Sequence, residues 1–319
     1  MIKKIAVLTS GGDSPGMNAA IQSIIHSSYK NKIRILGVLD GYLGLCQDNI
    51  IKLKNNFSNI INQGGTILRT ARYKKFNQKK ERKIAIKNMK NRNIDALIVI
   101  GGNGTYIGAN KLNKMGFPCI GIPATIDNDV LGTDYTIGYN TALETIVKSI
   151  DKLRDTSSSH QRISIVEIMG RNCGDLTLFS SLACWCEFII TPEILYNETK
   201  LINKIKKSIK KGKKNIIIAI TEKICNVQKL AKNIELKIKK ETRATILGHI
   251  QRGGSPVAID RILASRMGFY SIKLLLKNKF GKCIGIQNNK IISHNINDLL
   301  KFKKKKFKKK LMFISNNLY

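Results

Sequence analysis

Residues 119–129 of this 319-residue chain read Cys-Ile-Gly-Ile-Pro-Ala-Thr-Ile-Asp-Asn-Asp. The apolar run at 119–122 is typical of a buried strand, and the carboxylates of Asp127 and Asp129 follow it closely. In an open α/β sheet, side chains at the carboxyl ends of strands carry the chemistry. A carboxylate there can accept a proton from a substrate hydroxyl or help to hold a divalent cation. The structural alternative is a polar turn that caps the next helix.

Apolar runs alternate with helix-period segments along most of the chain, which predicts an α/β fold with mainly parallel sheets. The predicted strands besides 119–122 are 5–8, 33–39, 96–100, 163–169, 188–191, 216–221 and 245–250. One predicted helix begins near Met17 and another follows the turn 101–105. Further helices are predicted at 79–93, about 140–155, 175–184, 200–211 and about 256–276. A chain of this length exceeds one hydrophobic core, so we expect two lobes. Candidate site residues fall before and after about Gly138, which predicts a site in the cleft between the lobes.

The formal net charge is +35, from 56 Lys and Arg against 21 Asp and Glu. Such a surface favours phosphorylated partners. The lysines are dispersed, apart from a Lys-rich tail at 301–310, and no motif that reads nucleic acid accompanies them. Codon bias in an A/T-rich genome would account for the excess of Lys, Ile and Asn, so we expect no nucleic acid as a main partner.

The chain has no apolar run of membrane-spanning length, and its first apolar segment is too short for a signal peptide. The seven cysteines are scattered, odd in number and without a Cys-x-x-Cys pair. These features predict a cytoplasmic protein with reduced thiols and no membrane contact.

Glycine-rich turns follow two of the predicted strands, at Gly11-Gly12 and at 101–104. Glycine lets the backbone approach an anion closely, and the amides at a helix N-terminus favour phosphate. Neither turn has the Walker ending or the Rossmann spacing. Two such turns at the strand ends of one lobe predict a nucleotide with several phosphates.

Polar and charged residues near the turns and strand ends are further candidates. Arginines occupy such places at Arg72, Arg162, Arg171, Arg243 and Arg252. Surface ion pairs are the alternative for each, but acids are scarce and Arg suits bidentate phosphate contacts. Glu222 closes the predicted strand 216–221 and can accept hydrogen bonds from a sugar. His249, predicted within the strand 245–250, is a candidate ligand whose alternative is a buried core histidine.

Nearly the whole chain resembles the bacterial ATP-dependent 6-phosphofructokinase family. The matching stretches are 4–20, 40–45, 132–138, 154–169 and 241–267. The motifs Asp-Thr-Ser-Ser-Ser-His-Gln-Arg, ending at Arg162, and Leu-Gly-His-Ile-Gln-Arg-Gly-Gly-Ser-Pro, ending at Pro256, are highly specific to that family.

The resemblance implies that ATP, with Mg²⁺, phosphorylates D-fructose 6-phosphate to D-fructose 1,6-bisphosphate in the committed step of glycolysis. It implies a homotetramer, built as a dimer of dimers, whose subunits each have two three-layer α/β/α lobes. The larger, nucleotide-binding lobe would comprise 1–138 and 257–302. The smaller, sugar-phosphate-binding lobe would comprise 139–256 and 303–319.

The resemblance also implies roles for single residues. Asp127 would be the general base for the 1-hydroxyl of the sugar, Thr125 would contact the substrate, and Arg72 would stabilise the transferring phosphoryl group. The implied ATP site is Gly12, Arg72, Tyr73, Gly102, Asn103, Gly104 and Thr105. The implied substrate site is Thr125, Asp127, Arg162, Met169, Gly170, Arg171, Glu222, Arg243, His249 and Arg252. Asn103 and Asp129 would lie near the metal. Arg162 and Arg243 would contribute to the active site of a neighbouring subunit.

Two positions near the turns bear on the co-substrate and the metal. Asn103 stands where the family has Asp, and the lost negative charge is expected to weaken magnesium binding and catalysis without abolishing them. Ala124 and Gly104 are small, whereas pyrophosphate-dependent relatives carry Lys and Asp there. Large or charged side chains would exclude a nucleotide, so ATP is favoured over pyrophosphate.

The implied effector site departs further from the family. Its positions are Gln22, His26, Arg154, Trp185, Glu187, Lys211 and Lys213. Gln22 and His26 replace arginines, residues 54–56 contain no Arg, and Trp185 replaces Gly. Fewer phosphate clamps and less space predict weak or absent control by ADP or phosphoenolpyruvate.

Two other functions remain open from the sequence. One is a pyrophosphate-dependent phosphofructokinase. The other is a catalytically impaired paralogue retained for interaction or nucleic-acid binding, which Asn103 and the Lys-rich tail suggest.

Overall fold

The computed structural model describes residues 2–53, 59–301 and 308–317, with side chains to 314. The chain forms two compact units, which we call unit 1 (Met1–Thr141 and Arg252–Lys305) and unit 2 (Ala142–Gln251 and Lys306–Tyr319). The segment 54–56 and most of the Lys-rich tail lie outside the described residues. The assignment of nucleotide and sugar phosphate to separate lobes stays a prediction.

Strands and helices alternate along most of the chain. The strands are β1 (Lys4–Ser10), β2 (Arg34–Val38), β3 (Ile50–Lys52), β4 (Ala96–Gly101), β5 (Cys119–Pro123), β6 (Ile163–Ile168), β7 (Phe188–Ile190), β8 (Ile216–Thr221), β9 (Thr242–Ile246), β10 (Lys282–Gln287) and β11 (Lys290–Asn295). The helices are α1 (Met17–Lys30), α2 (Gly41–Cys46), α3 (Lys79–Asn91), α4 (Asn103–Asn113), α5 (Tyr139–Ser159), α6 (Asp175–Cys184), α7 (Glu198–Lys210), α8 (Val227–Ile238), α9 (Ala258–Leu276), α10 (Ile296–Leu299) and α11 (Lys309–Asn317). Among the described residues, no helix is long and apolar enough to cross a membrane.

The sheet of unit 1 has a parallel centre with antiparallel edges. Among the described residues its strand order is β11-β10-β5-β4-β1-β2-β3, and only β3 and β11 pair antiparallel with their neighbours. Successive residues of β1 belong to different hydrophobic cores. Ile5 packs with α1 and α9, and Ala6 packs with α2, α3 and α4. Two-sided burial explains why β1 and β4 read as unbroken apolar runs.

The sheet of unit 2 is parallel throughout its described residues, in the order β7-β8-β6-β9. Ile218 and Ile220 of β8 pack in a core with Leu201 and Ile205 of α7 and with Ile234 of α8. The isoleucine-rich run 216–220 is buried over its whole length. The predicted α/β class with mainly parallel sheets is confirmed.

One predicted strand is partly wrong. The strand expected at 245–250 ends at Ile246, and Gly248–Arg252 form a 3₁₀ helix instead. Gly248 adopts φ 55°, a left-handed conformation that ends a strand. His249 therefore lies in this turn and is exposed, so it is neither a strand residue nor a core histidine.

Candidate active site

The polar turns after β1, β4 and β5 lie side by side, because these strands are neighbours and run parallel. The Ala124 amide donates to the Gly101 carbonyl at 3.1 Å. A Cβ added at Gly102 would lie 3.8 Å from the Thr125 Cβ. Within unit 1, the structure thus brings the predicted phosphate turns next to the predicted acids.

The glycine turns are closely packed, and one cation lies against them. A Cβ at Gly101 would lie 2.4 Å from the Ser10 oxygen, so the close approach of β1 and β4 requires glycine. The Arg252 guanidinium donates to the Asp13 carbonyl at 3.0 Å, and a Cβ at Gly12 would lie 2.5 Å from its Nη1. A fixed positive charge and close backbone suit a phosphate group at this turn.

The loop that carries Asp127 and Asp129 is held by Asn128, which the sequence analysis missed. Asp127 is almost fully buried, and its amide donates to the Thr125 hydroxyl at 3.2 Å. Asn128 is fully buried, its Oδ1 accepts from the Thr136 amide at 3.1 Å, and its Nδ2 donates to the Asp134 carbonyl at 3.1 Å. The φ of Asn128 is 51°, in the left-handed region that Asn adopts more readily than most residues. The position of this Asn between two acids in a turn was the sequence signal that could have predicted its role.

Asn103 and Asp129, the predicted metal positions, are in contact. The Asn103 Nδ2 donates to the Asp129 carbonyl at 3.3 Å. Among the described residues, no three His, Cys, Asp or Glu side chains cluster as a metal cage. Magnesium commonly takes one or two carboxylates and completes its shell with water and phosphate oxygens. The Asp129 carboxylate therefore fits a magnesium ion that arrives with phosphate.

Tyr73 is held through an acid that the sequence analysis did not identify. Its hydroxyl donates to Glu81 Oε2 at 2.8 Å, and this hydrogen bond raises the pKa of Tyr73 to about 12. Arg72, the preceding residue, is exposed. This hydrogen bond to Glu81 of α3 orients Tyr73, and the guanidinium of Arg72 remains accessible.

In unit 2, Glu222 organises the turn after β6. Its Oε1 accepts from the amides of Gly170 at 3.3 Å and Arg171 at 2.9 Å. The Met169 amide donates to Gln251 Oε1 at 2.9 Å, and Gln251, which was not predicted, is fully buried. Burial, and after it the Glu222 charge, raises the pKa of Glu167. The structure thus brings together four predicted sugar-phosphate residues.

Arg162 and Arg243 meet on a shared acid within unit 2, Glu241, which the sequence analysis missed. The Arg243 Nε donates to Glu241 Oε1 at 2.8 Å, and Arg162 Nη1 lies 3.7 Å from the same oxygen. The hydrogen bond from Arg243 is the main reason that the pKa of Glu241 is lowered. Glu241 therefore holds two cations close together, one just before β6 and one in β9.

Comparison with known proteins identifies the family. A family model described as phosphofructokinase matches residues 4–275. The chain belongs to the phosphofructokinase family.

Full-length phosphofructokinases from bacteria are similar to the chain over its whole length. A protein from Erwinia tasmaniensis, named ATP-dependent 6-phosphofructokinase, is 59% identical over 320 residues, with 100% of both chains covered. One of the same name from Buchnera aphidicola subsp. Cinara cedri is 61% identical, with the same coverage. A solved T-state phosphofructokinase from Pichia pastoris matches with a TM-score of 0.88 and 33% identity, over 94% of this chain and 36% of that longer chain.

The positions that the phosphofructokinase resemblance assigns to an effector fall in both units. In unit 2, Glu187 lies 3.7 Å from Arg154 and 3.2 Å from Lys213, and Lys211 lines the same 630 Å³ cavity as Glu187. In unit 1, the Nε2 atoms of Gln22 and His26 are 3.4 Å apart.

Trp185 ends α6 in a left-handed conformation, with φ 54° and 56% exposure. A large side chain rarely adopts this backbone conformation, which glycine reaches without strain. The predicted replacement of Gly by Trp therefore introduces backbone strain at this position.

Asn128 offers a test of how the acid loop is held. Asn128→Gly keeps the left-handed backbone but removes both side-chain hydrogen bonds, so we expect the free energy of unfolding to fall by about 1–3 kcal/mol. Asn128→Ala should cost about 1 kcal/mol more, because alanine disfavours positive φ. Urea denaturation measures both.

The matched control is Asn288→Gly, because Asn288 also has a left-handed backbone, with φ 48°, but is exposed. That variant should stay within about 0.5 kcal/mol of the parent chain. Equal stability of Asn128→Gly and the parent would show that the loop does not depend on the Asn128 side chain.

Proposed function

We propose that this chain transfers the γ-phosphoryl group of ATP to the 1-hydroxyl of D-fructose 6-phosphate, in the committed step of glycolysis. The names of the full-length relatives at 59% and 61% identity support this reaction. The observation that supports it in the structure is the closeness of the 101–105 turn to Thr125 and the buried Asp127: a Cβ added at Gly102 would lie 3.8 Å from the Thr125 Cβ. As a glycolytic enzyme, it would act in the cytoplasm.

Asp127 accepts the proton of the 1-hydroxyl as that oxygen bonds to the γ-phosphorus. The bond from the γ-phosphorus to the bridging oxygen breaks, and ADP leaves with that electron pair. Arg72 and the amides of the 102–105 turn stabilise the negative charge of the transferring group. Gly12 and Tyr73 complete the nucleotide site.

The residues of unit 2 would bind the sugar phosphate. Glu222 already orders the amides of Gly170 and Arg171, which presents this turn in a fixed conformation. Met169 and His249 belong to the same proposed site. Arg252, which lies against Gly12 and Asp13, is a further cation proposed to bind phosphate. Arg162 and Arg243, pre-ordered by Glu241, would reach a neighbouring subunit's substrate, so the active form would be an oligomer. The family resemblance implies that this oligomer is a homotetramer.

Asp129 would hold the magnesium ion, with Asn103 beside it, and phosphate oxygens would complete the coordination. When bound, the ion neutralises charge on the β- and γ-phosphates. Asn103 contributes a neutral amide, so Asp129 supplies the negative charge at this pair of positions.

Pyrophosphate is the less favoured phosphoryl donor. A Cβ at Gly104 would meet no atom of the described residues within 4 Å, so the turn offers open space at that position. Ala124 is small and fully buried. A coupled assay with ATP and with pyrophosphate separates the two donors, and absence of turnover with both would favour the impaired paralogue.

Asp127→Asn tests the assigned base. Asparagine keeps the shape of the side chain but cannot accept the proton, so kcat should fall by about 10²- to 10⁴-fold with small changes in both KM values. Asp48→Asn, at an exposed carboxylate paired with Arg92, is the control and should keep the parent kcat. A kcat of Asp127→Asn within threefold of the parent would remove Asp127 from this role.

Asn103→Asp tests the metal site. A second carboxylate beside Asp129 should lower the magnesium concentration for half-maximal rate severalfold, since magnesium prefers charged oxygen ligands. Initial rates at saturating substrates over a magnesium titration measure this. An unchanged midpoint together with an unchanged maximal rate would contradict the proposed effect of Asn103.

We further propose that allosteric control is weak. Fructose 6-phosphate saturation curves should shift by less than about twofold on addition of ADP or phosphoenolpyruvate, because Gln22 and His26 supply no permanent cation. Trp185→Gly should relieve backbone strain and open space without restoring those cations. A large effector-dependent shift in the parent chain would refute weak control.

A further inference from the structure

Tyr42 of α2 contacts both segments of unit 1 that the proposed function assigns to ATP. Its hydroxyl donates to the Thr105 carbonyl at 2.6 Å, in the first turn of α4. Its ring stacks on Phe76, with centroids 4.2 Å apart and an interplanar angle of 17°. Phe76 lies three residues after Tyr73, so one buried side chain joins the 73–76 segment to the 102–105 turn.

The surroundings of Tyr42 leave it little freedom to move. It is 5% exposed, and a Cβ at Gly108 would lie 2.6 Å from its ring carbons, so α4 needs glycine where the ring crosses it. Burial raises the pKa of Tyr42 well above its ordinary value. The hydroxyl therefore stays protonated and available as a donor at physiological pH.

The two residues that Tyr42 contacts, Phe76 and Thr105, are themselves held by hydrogen bonds. The Phe76 carbonyl accepts from Arg82 Nη1 at 2.9 Å, and the Phe76 amide donates to the Tyr73 carbonyl at 3.1 Å. On the other side, the Thr105 hydroxyl donates to the Ser10 carbonyl at 2.9 Å. A shift of the Tyr42 ring or hydroxyl would therefore be passed to Tyr73 or to the phosphate turn.

We propose that Tyr42 is a positioning residue for ATP: it sets the spacing between the Tyr73 segment and the 102–105 turn. The inference rests on the proposed function, because it assumes that these two segments bind one nucleotide. Tyr42 is assigned no contact with either substrate. Its effect is on the geometry of the groups that bind ATP.

Tyr42→Phe keeps the stack on Phe76 and removes only the hydroxyl. We expect the KM for ATP to rise about threefold to tenfold, the effect of one lost hydrogen bond. The kcat and the KM for fructose 6-phosphate should stay within about twofold. Tyr42→Leu, which also loses the stack, should raise the KM for ATP further.

Tyr106→Phe is the matched control. Tyr106 lies on α4 and is also fully buried, but its hydroxyl has no hydrogen-bond partner in the described part of the chain. This variant should leave the KM for ATP unchanged. Thermal unfolding of every variant separates a local effect on ATP from a general loss of stability.

Equilibrium dialysis with ATP accompanies the kinetics, so that binding is measured apart from turnover. A KM and an ATP affinity of Tyr42→Phe equal to the parent would overturn the positioning role while leaving the proposed function intact. So would a parallel rise of both KM values with a lower Tm. If the parent neither binds ATP nor phosphorylates fructose 6-phosphate, both proposals fall together.

Discussion

The hydrogen bond from the Thr105 hydroxyl to the Ser10 carbonyl ties the start of α4 to the end of β1. It forms because Gly101 has no Cβ in the space where the two strands approach. The parallel order of β5, β4 and β1 then places three polar turns on one edge of the sheet. The residues of unit 1 proposed as the base, the phosphate turns and the metal position all depend on this packing.

Acidic side chains are scarce in this basic chain, and several of them order other groups. Asp260 is fully buried and accepts from the Thr141 amide at 2.8 Å, and burial raises its pKa. Glu222 holds two amides, Glu241 holds two guanidinium groups, and Glu81 holds the Tyr73 hydroxyl. Each is a case in which a buried or half-buried carboxylate is stabilised by the donors that it arranges.

The elements that sequence patterns predicted best are those with strong local signals. The buried runs of β1, β4 and β8 are continuous and apolar, and glycine or acid clusters follow several strands. The edge strands β3 and β11 were missed because they are short or carry no long apolar run. Strand β10 was also missed, although its run 283–286 repeats the Cys-Ile-Gly-Ile of β5 and was an available signal. His249 was misplaced because the left-handed φ of Gly248 cannot be read from composition.

The sequence by itself determined the α/β class, the glycine turns, the acids after β5 and the family to which the chain belongs. Only the tertiary structure decided which side chains support them: Asn128 through Thr136, Glu241 between two arginines, and Tyr42 against Thr105. Residues 42 and 105 are 63 positions apart, and their contact follows from the order of strands in the sheet. Local patterns encode burial and backbone preference, whereas strand order arises when the whole core packs, so such pairings exist only in the folded chain.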